Sequence, residues 1–124
     1  MKLNKFVNVG PMNTTAFTVA YCSEQVKSAI RDMPAAIRAR YTVLIDRMEK
    51  FGPNLGEPHT KAFGEGLFEL RIKSVEGIAR VFDCTRIGRR IVVLHGFVKK
   101  SDKTPLRDRR LAEQRLKEIK NADA

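Results

Sequence analysis

The fold is decided by residues 67–96, which read LFELRIKSVEGIARVFDCTRIGRRIVVLHG. Apolar and polar side chains alternate along much of this stretch, and a period of two is typical of strands. The pattern predicts three strands, at residues 67–72, 77–82 and 90–96. Because connections this short join strands that run in opposite directions, the stretch predicts an antiparallel meander.

Upstream of the meander, the pattern predicts one strand and two helices. Residues 17–21 are β-prone and alternate. Ser23 is a suitable N-cap for a helix that ends at Pro34, and Pro34 suits the first turn of a second helix. The second helix carries a single apolar stripe, which consists of Ile37, Tyr41, Leu44, Ile45, Met48 and Phe51.

Downstream of the meander, Thr104 and Pro105 predict the start of a last helix, with Ala112, Leu116 and Ile119 on its apolar face. The order is therefore strand, two helices, three strands and helix. We expect an α+β fold with a mostly antiparallel sheet, helices packed on one face and the other face open for binding. Residues 1–16 are predicted to be an N-terminal extension, and residues 17–124 a single domain.

Length and composition narrow the class of protein. A chain of 124 residues is one small domain, which excludes a multi-domain enzyme. No apolar run reaches the length of a membrane span, and residues 1–7 lack the apolar stretch of a signal peptide, so we expect a cytoplasmic protein. Cys22 and Cys84 belong to no metal-binding or disulfide pattern.

The charge is strongly basic, with a formal net charge of +10 at pH 7. Residues 61–120 carry 16 Lys and Arg against 8 Asp and Glu. Such a surface predicts a polyanionic partner, above all nucleic acid, because neutralisation of phosphates by Lys and Arg releases counterions. The alternative is a solvated basic surface that serves solubility.

Two arginines, Arg71 and Arg80, lie in mid-strand among apolar residues. Each either pairs with a carboxylate, such as Glu69 or Asp83, or points into a groove for an anion. Alternation places Arg80 on one face with Ile78 and Phe82. In the last strand it predicts a shared face for Ile91, Val93, His95 and Phe97.

Familiar catalytic patterns are missing from the sequence: it has no phosphate-binding glycine motif, no legible Ser/His/Asp set and no ligand spacing for a metal. We therefore expect neither a cofactor nor a metal. What remains is a set of bases and cations: Lys61, Arg71, Arg80, His95, Lys99, Lys100 and Lys103. Such a set suits RNA transphosphorylation, because the substrate supplies its own nucleophile, the 2′-hydroxyl.

Two segments carry a family resemblance, GLFELR at residues 66–71 and LHGFVKKSDKTP at residues 94–105. Together with Lys61 and Arg80, they resemble the phage-derived, HigB-like branch of the RelE/ParE toxin superfamily. The resemblance runs from about Phe17 to Ile119. It implies a toxin of a type II toxin–antitoxin pair that enters the ribosome, cleaves translated mRNA without metal and is neutralised by a small helix-turn-helix antitoxin.

The resemblance also implies roles for individual residues. Lys61 is the candidate general base, since neighbouring cations disfavour the charged form of a lysine. Arg71 and Arg80 are candidates for holding the scissile phosphate and stabilising its transition state. Lys99, Lys100 and Lys103 would contact the flanking RNA.

One departure from the family concerns the C-terminal tyrosine of many RelE toxins, because the only tyrosines here are Tyr21 and Tyr41. His95 is the candidate general acid in its place, and Phe97 the candidate for stacking on a base. The structural alternatives are a histidine fixed at a strand end and a core phenylalanine, and His59 is interpreted as a turn residue.

Three other functions fit the same residues. A ParE-like member of the superfamily would inhibit DNA gyrase and would need no RNA-cleaving cations. A non-catalytic RNA-binding module would use the same basic face. An inactive toxin relic could serve as a regulator.

Overall fold

The computed structural model describes residues 16–100 and 105–123. A five-stranded sheet has the order β1-β5-β4-β3-β2, in which β1 is parallel to β5 and every other pair is antiparallel. The predicted α+β class and mostly antiparallel sheet are confirmed. The elements are β1 Thr18–Tyr21, α1 Glu24–Arg31, α2 Ala35–Phe51, β2 Thr60–Gly64, β3 Leu67–Ser74, β4 Gly77–Arg86, β5 Arg90–Lys99 and α3 Leu106–Asp123.

The helices begin near the predicted positions. Ser23 caps α1, because its Oγ accepts a hydrogen bond from the Val26 N–H at 3.2 Å. Pro34 offers no side-chain cap to α2, and Glu76 of the β3–β4 turn accepts from the Ala36 N–H instead, at 2.6 Å. Thr104, the predicted cap of α3, lies outside the described residues. Among the residues that are described, no helix is long and apolar enough to cross a bilayer.

The helices lie on both faces of the sheet, so the expectation of a single covered face is wrong. α1 and α2 pack on one face, over Leu70, Ile72, Ala79, Val81, Ile91 and Val93. α3 packs on the other, over Leu67, Phe82, Cys84, Val92 and Leu94. The reason is that the strands carry apolar side chains on both faces of the sheet. Burial of the second apolar face is also favourable, and α3 provides it.

A β-bulge changes which side chains of β5 share a face. Phe82 pairs with His95, but the next residue of β4, Asp83, pairs with Val93, so Leu94 is an extra residue. The predicted common face of the last strand is therefore wrong. Ile91 and Val93 face α1 and α2, whereas His95 and Phe97 lie on the face of α3.

Strand β2 is absent from the predicted elements. It pairs with β3 through Thr60, Lys61 and Ala62 before its own register shift ahead of Gly64. Of its five residues only Thr60 is fully buried, which explains why no apolar alternation marks it. This strand places Lys61 directly opposite Glu69.

Candidate nucleic-acid interface

The sheet face that carries α3 also holds most of the predicted site residues, arranged in three cross-strand rows. Directly paired residues point to the same side of a sheet, so the register defines each row. The first row is Lys61, Glu69, Phe82 and His95, the second is Arg71, Arg80 and Phe97, and the third is Lys73, Ile78 and Lys99. Side chains from four strands therefore meet on one surface.

Access to these residues differs. Lys61 and Lys100 are exposed, and Arg71 is partly buried. Arg80 and Lys99 are only 8% and 7% exposed, so their long side chains lie mostly within the protein. Lys103 lies outside the described residues. The predicted cations on the described residues therefore range from exposed ammonium groups to a buried lysine and a buried arginine.

A buried carboxylate joins the two arginines of the second row. Glu69 is fully buried, and its Oε1 lies 3.2 Å from Arg71 Nε and 3.9 Å from Arg80 Nε. Arg71 also approaches an exposed carboxylate, with Nη1 at 3.4 Å from Glu57 Oε1. Like charges at directly opposite positions of two strands repel one another, and a shared anion offsets that repulsion. The ion-pair alternative thus holds in an unexpected form, because two guanidinium groups share one carboxylate.

His95 is engaged at both ring nitrogens. Its Nε2 lies 2.7 Å from Asp108 Oδ1, and its Nδ1 lies 3.5 Å from Arg115 Nη1. Arg115 also donates to the Leu94 carbonyl at 2.8 Å. Both ring nitrogens therefore face a partner on α3, which fixes the orientation of the imidazole. His95 thereby links β5 to α3.

Aromatic rings line the first two rows. The ring of Phe97 stacks on His95, with centroids 5.3 Å apart, and faces Phe82 at 6.5 Å. Next to Phe82, the ring of Phe63 lies 5.3 Å from Lys61 Nζ and 4.3 Å from Arg109 Cζ. Phe97 is half-buried and packs against the apolar cluster between the sheet and α3.

A cationic cleft of about 370 Å³ opens beside Arg71 and Arg80. The remaining lining residues are Arg40, Pro58, His59 and Lys73. His59 lies in a turn, as predicted. The sequence reasoning missed Arg40 and Lys73 as site residues. A signal for Lys73 was available, because it follows Arg71 by two residues and so shares its face, whereas nothing in the sequence connects Arg40 of α2 with the sheet.

Another group of polar side chains lies under α1 and α2, on the face of the sheet opposite the three cross-strand rows. The Tyr21 and Tyr41 hydroxyls are 2.8 Å apart, and burial, with this hydrogen bond, raises the pKa of Tyr41. Burial likewise raises the pKa of Asp83 well above its usual range, and its Oδ1 has no hydrogen-bond partner in the described part of the chain. These groups belong to the core.

Cys22 and Cys84 are free thiols, and burial raises the pKa of Cys84 to about 11. A thiol with that pKa is protonated at neutral pH and is a poor nucleophile. Within residues 16–100 and 105–123, no three His, Cys, Asp or Glu side chains form a group that could hold a metal ion.

Comparison with known protein families identifies the family to which the chain belongs. The sequence profile of the family described as phage-derived protein Gp49-like (DUF891) matches residues 28–117. The chain belongs to the Gp49-like family. The matched range includes the complete meander and most of α3, so it covers every residue of the three rows.

The fold is similar to a solved structure. A chain in the crystal structure of the archaeal RelE–RelB complex from Pyrococcus horikoshii OT3 superposes with a TM-score of 0.51 and 20% sequence identity. The match covers 68% of this Gp49-like chain and 97% of the archaeal chain. At this identity the likeness shows a shared, RelE-like fold. A search of curated protein sequences gives no significant match.

Proposed function

We propose that this Gp49-like protein is the toxin of a type II toxin–antitoxin pair, of the HigB type, and that it cleaves mRNA on the ribosome without a metal ion. The observation that carries the proposal is the cross-strand arrangement of Lys61, Arg71 and Arg80 on one face of a RelE-like sheet. Cations from three strands that face one surface suit the binding of a phosphodiester.

In the proposed reaction, Lys61 accepts the proton of the RNA 2′-hydroxyl. The 2′-oxygen attacks the adjacent phosphorus, the bond to the 5′-oxygen breaks, and this oxygen takes a proton from the solvent. Arg71 and Arg80 contact the non-bridging oxygens, whose negative charge grows in the transition state. Glu69 keeps the two guanidinium groups in place. The products are a 2′,3′-cyclic phosphate and a 5′-hydroxyl.

His95 takes a positioning role in this proposal. Its two ring nitrogens contact Asp108 and Arg115, so neither is directed at the leaving 5′-oxygen. Through the stacked pair of rings, His95 also fixes the orientation of Phe97. Phe97, with its partly exposed edge, is the residue that we propose to stack on a base.

The proposed protein partner is a small helix-turn-helix antitoxin. Two observations support an antitoxin of some kind: membership of the Gp49-like family, and the fold shared with a chain solved in the RelE–RelB complex. The net charge of +10 fits a second, phosphate-rich partner, which in this proposal is the ribosome with its mRNA.

A second candidate function is a non-catalytic RNA-binding module. The observation that favours it is the engagement of Arg71 by both Glu69 and Glu57, because an arginine held by carboxylates can be purely structural. Such a module would retain RNA affinity and show no cleavage.

The test is expression in growing bacteria, followed by mapping of mRNA ends. We expect new ends inside translated frames with the unaltered protein and none with the Arg80→Ala variant, whereas Arg47→Ala, an exposed position on α2, retains full activity. Cleavage in vitro should persist in EDTA. Intact cleavage by a folded Arg80→Ala protein would overturn the site assignment. Arrested supercoiling without mRNA ends would indicate the gyrase inhibitor, and binding without cleavage the RNA-binding module.

A further inference from the structure

The cationic cleft is assembled from four separate parts of the chain. Arg40 comes from α2, Pro58 and His59 from the turn before β2, Arg71 and Lys73 from β3, and Arg80 from β4. Four of the six lining residues are permanent cations, and none of the described lining residues carries a carboxylate. Glu57 and Glu69 offset part of the charge of Arg71 and Arg80 from outside the lining. With Arg40 and Lys73 in the same concave space, the excess of positive charge favours an anionic ligand.

The size and walls of the cleft fit a nucleotide unit better than a bare ion. Its volume of about 370 Å³ lies within the range of small-molecule binding sites, which begins at about 300 Å³. Pro58 and the His59 ring supply flat surfaces of the kind on which a sugar or a base packs. Guanidinium forks match phosphate oxygens, and a lysine adds a flexible point charge.

The cleft continues directly from the proposed catalytic row. Arg71 and Arg80 belong to both. Lys73 lies two residues farther along β3 on the same face, at a spacing of about 6.6 Å along the strand. A polynucleotide that is held at Arg71 and Arg80 and continues into the cleft therefore passes Lys73 and Arg40.

We propose that this cleft binds a second backbone phosphate of the RNA, adjacent to the scissile one, and that Arg40 and Lys73 make that contact. The identification of the ligand as RNA rests on the proposed function; the affinity for a polynucleotide phosphate rests on the cleft itself.

Arg71 has two carboxylate partners among the described residues, and Glu57 is the exposed one, whereas Glu69 is buried. The Glu57 side chain is 72% exposed, and its contact with Arg71 is 3.4 Å long. Exposed pairs of this kind contribute little to stability, so a phosphate displaces Glu57 from Arg71 at small cost. Glu57 thus competes with the ligand without closing the cleft.

The experiment uses the full chain and a single-stranded RNA with 2′-O-methyl groups, which retains every phosphate but lacks the nucleophile. Fluorescence anisotropy gives the binding constant as a function of salt for the unaltered protein and for the Arg40→Ala and Lys73→Ala variants. Each variant should weaken binding about 5- to 10-fold at 0.1 M salt and lower the slope of log K against log salt by about 0.7, the effect of one lost contact to a single strand. Arg47→Ala, on the same helix but not part of the cleft lining, should change neither quantity.

The outcomes separate this inference from the proposed function. An unchanged slope in both cleft variants, or an equal loss in Arg47→Ala, would overturn the second phosphate site, even if unmodified mRNA is cleaved. A lost contact without any cleavage of unmodified mRNA would support the cleft and contradict the nuclease. If Arg40→Ala does not fold, Arg40→Lys serves instead: it should keep the slope and weaken binding, because the charge remains and the fork is lost.

Discussion

Glu69→Gln tests the buried carboxylate that joins Arg71 and Arg80. At an effective dielectric constant of about 20, its contacts of 3.2 and 3.9 Å correspond to attractions of about 5 and about 4 kcal/mol. Desolvation of a fully buried charge offsets much of this attraction, and loss of one member of a buried ion pair costs about 3–5 kcal/mol. We expect destabilisation by about 3 kcal/mol, since the two facing guanidinium groups lose the buried anion that they share.

Glu57→Gln is the matched control, because it removes the exposed carboxylate from the same guanidinium. An exposed pair contributes less than about 1 kcal/mol. Urea unfolding followed by circular dichroism gives both values, and the melting temperature of Glu69→Gln should fall by about 10 °C. Equal effects of the two substitutions would refute the view that Glu69 organises the site.

The same variant has a functional consequence if the nuclease proposal holds. Misplacement of the arginines by about 1 Å lowers the cleavage rate about 100-fold, because transition-state contacts depend on precise orientation. RNA affinity should not decrease more than a few-fold, since both positive charges remain. An unchanged cleavage rate in folded Glu69→Gln would show that the arginines do not need this anchor.

Three other substitutions test separate parts of the structure. Asp83→Asn should raise the free energy of unfolding at pH 7, because the amide does not ionise in the unfolded state. The raised pKa of Asp83 means that the folded state retains a proton that the unfolded state releases. The free energy of unfolding of the wild type therefore falls as pH rises above about 4. Denaturation at a series of pH values should show this fall in the wild type and not in the variant. His95→Asn should lower cleavage less than about 10-fold in single-turnover assays; a loss in the range of 10²–10⁴ with an intact fold would restore its role as general acid. Gly96→Ala should destabilise by about 1–3 kcal/mol in the same urea assay, because its Cβ would lie 3.0 Å from Ile30 Cγ1, and an unchanged midpoint would show that α1 shifts freely.

Much of the fold follows from local patterns in the sequence. The three meander strands, the Ser23 cap and the break between α1 and α2 at Pro34 all rest on interactions within a few residues. The side of the sheet on which α3 packs does not follow from local patterns. It depends on which of the two apolar faces of the sheet the helix covers. Phe51 shows the same limit: it continues the apolar stripe of α2, yet it is 75% exposed.

The candidate site was less predictable than the fold. Alternation correctly placed Arg80 on the same face of β4 as Ile78 and Phe82, but the register that brings this face beside Arg71 and Glu69 is visible only in the structure. Alternation failed at β5, because one extra residue at Leu94 reverses the pattern. No local feature of the sequence predicts this bulge. Arg40 reaches the cleft only through the packing of α2 against the sheet, a contact between distant segments that no spacing in the sequence encodes.

The most direct test of the central claim is the chemistry of the cut ends. Ribosome-bound mRNA is incubated with the protein, and mass spectrometry identifies the termini of the fragments. If the cation rows hold a phosphodiester for attack by its own 2′-oxygen, the fragments end in a 2′,3′-cyclic phosphate and begin with a 5′-hydroxyl, and a single 2′-deoxy substitution at the cut site prevents cleavage. Fragments that begin with a 5′-phosphate, or cleavage at the deoxy position, would contradict the account.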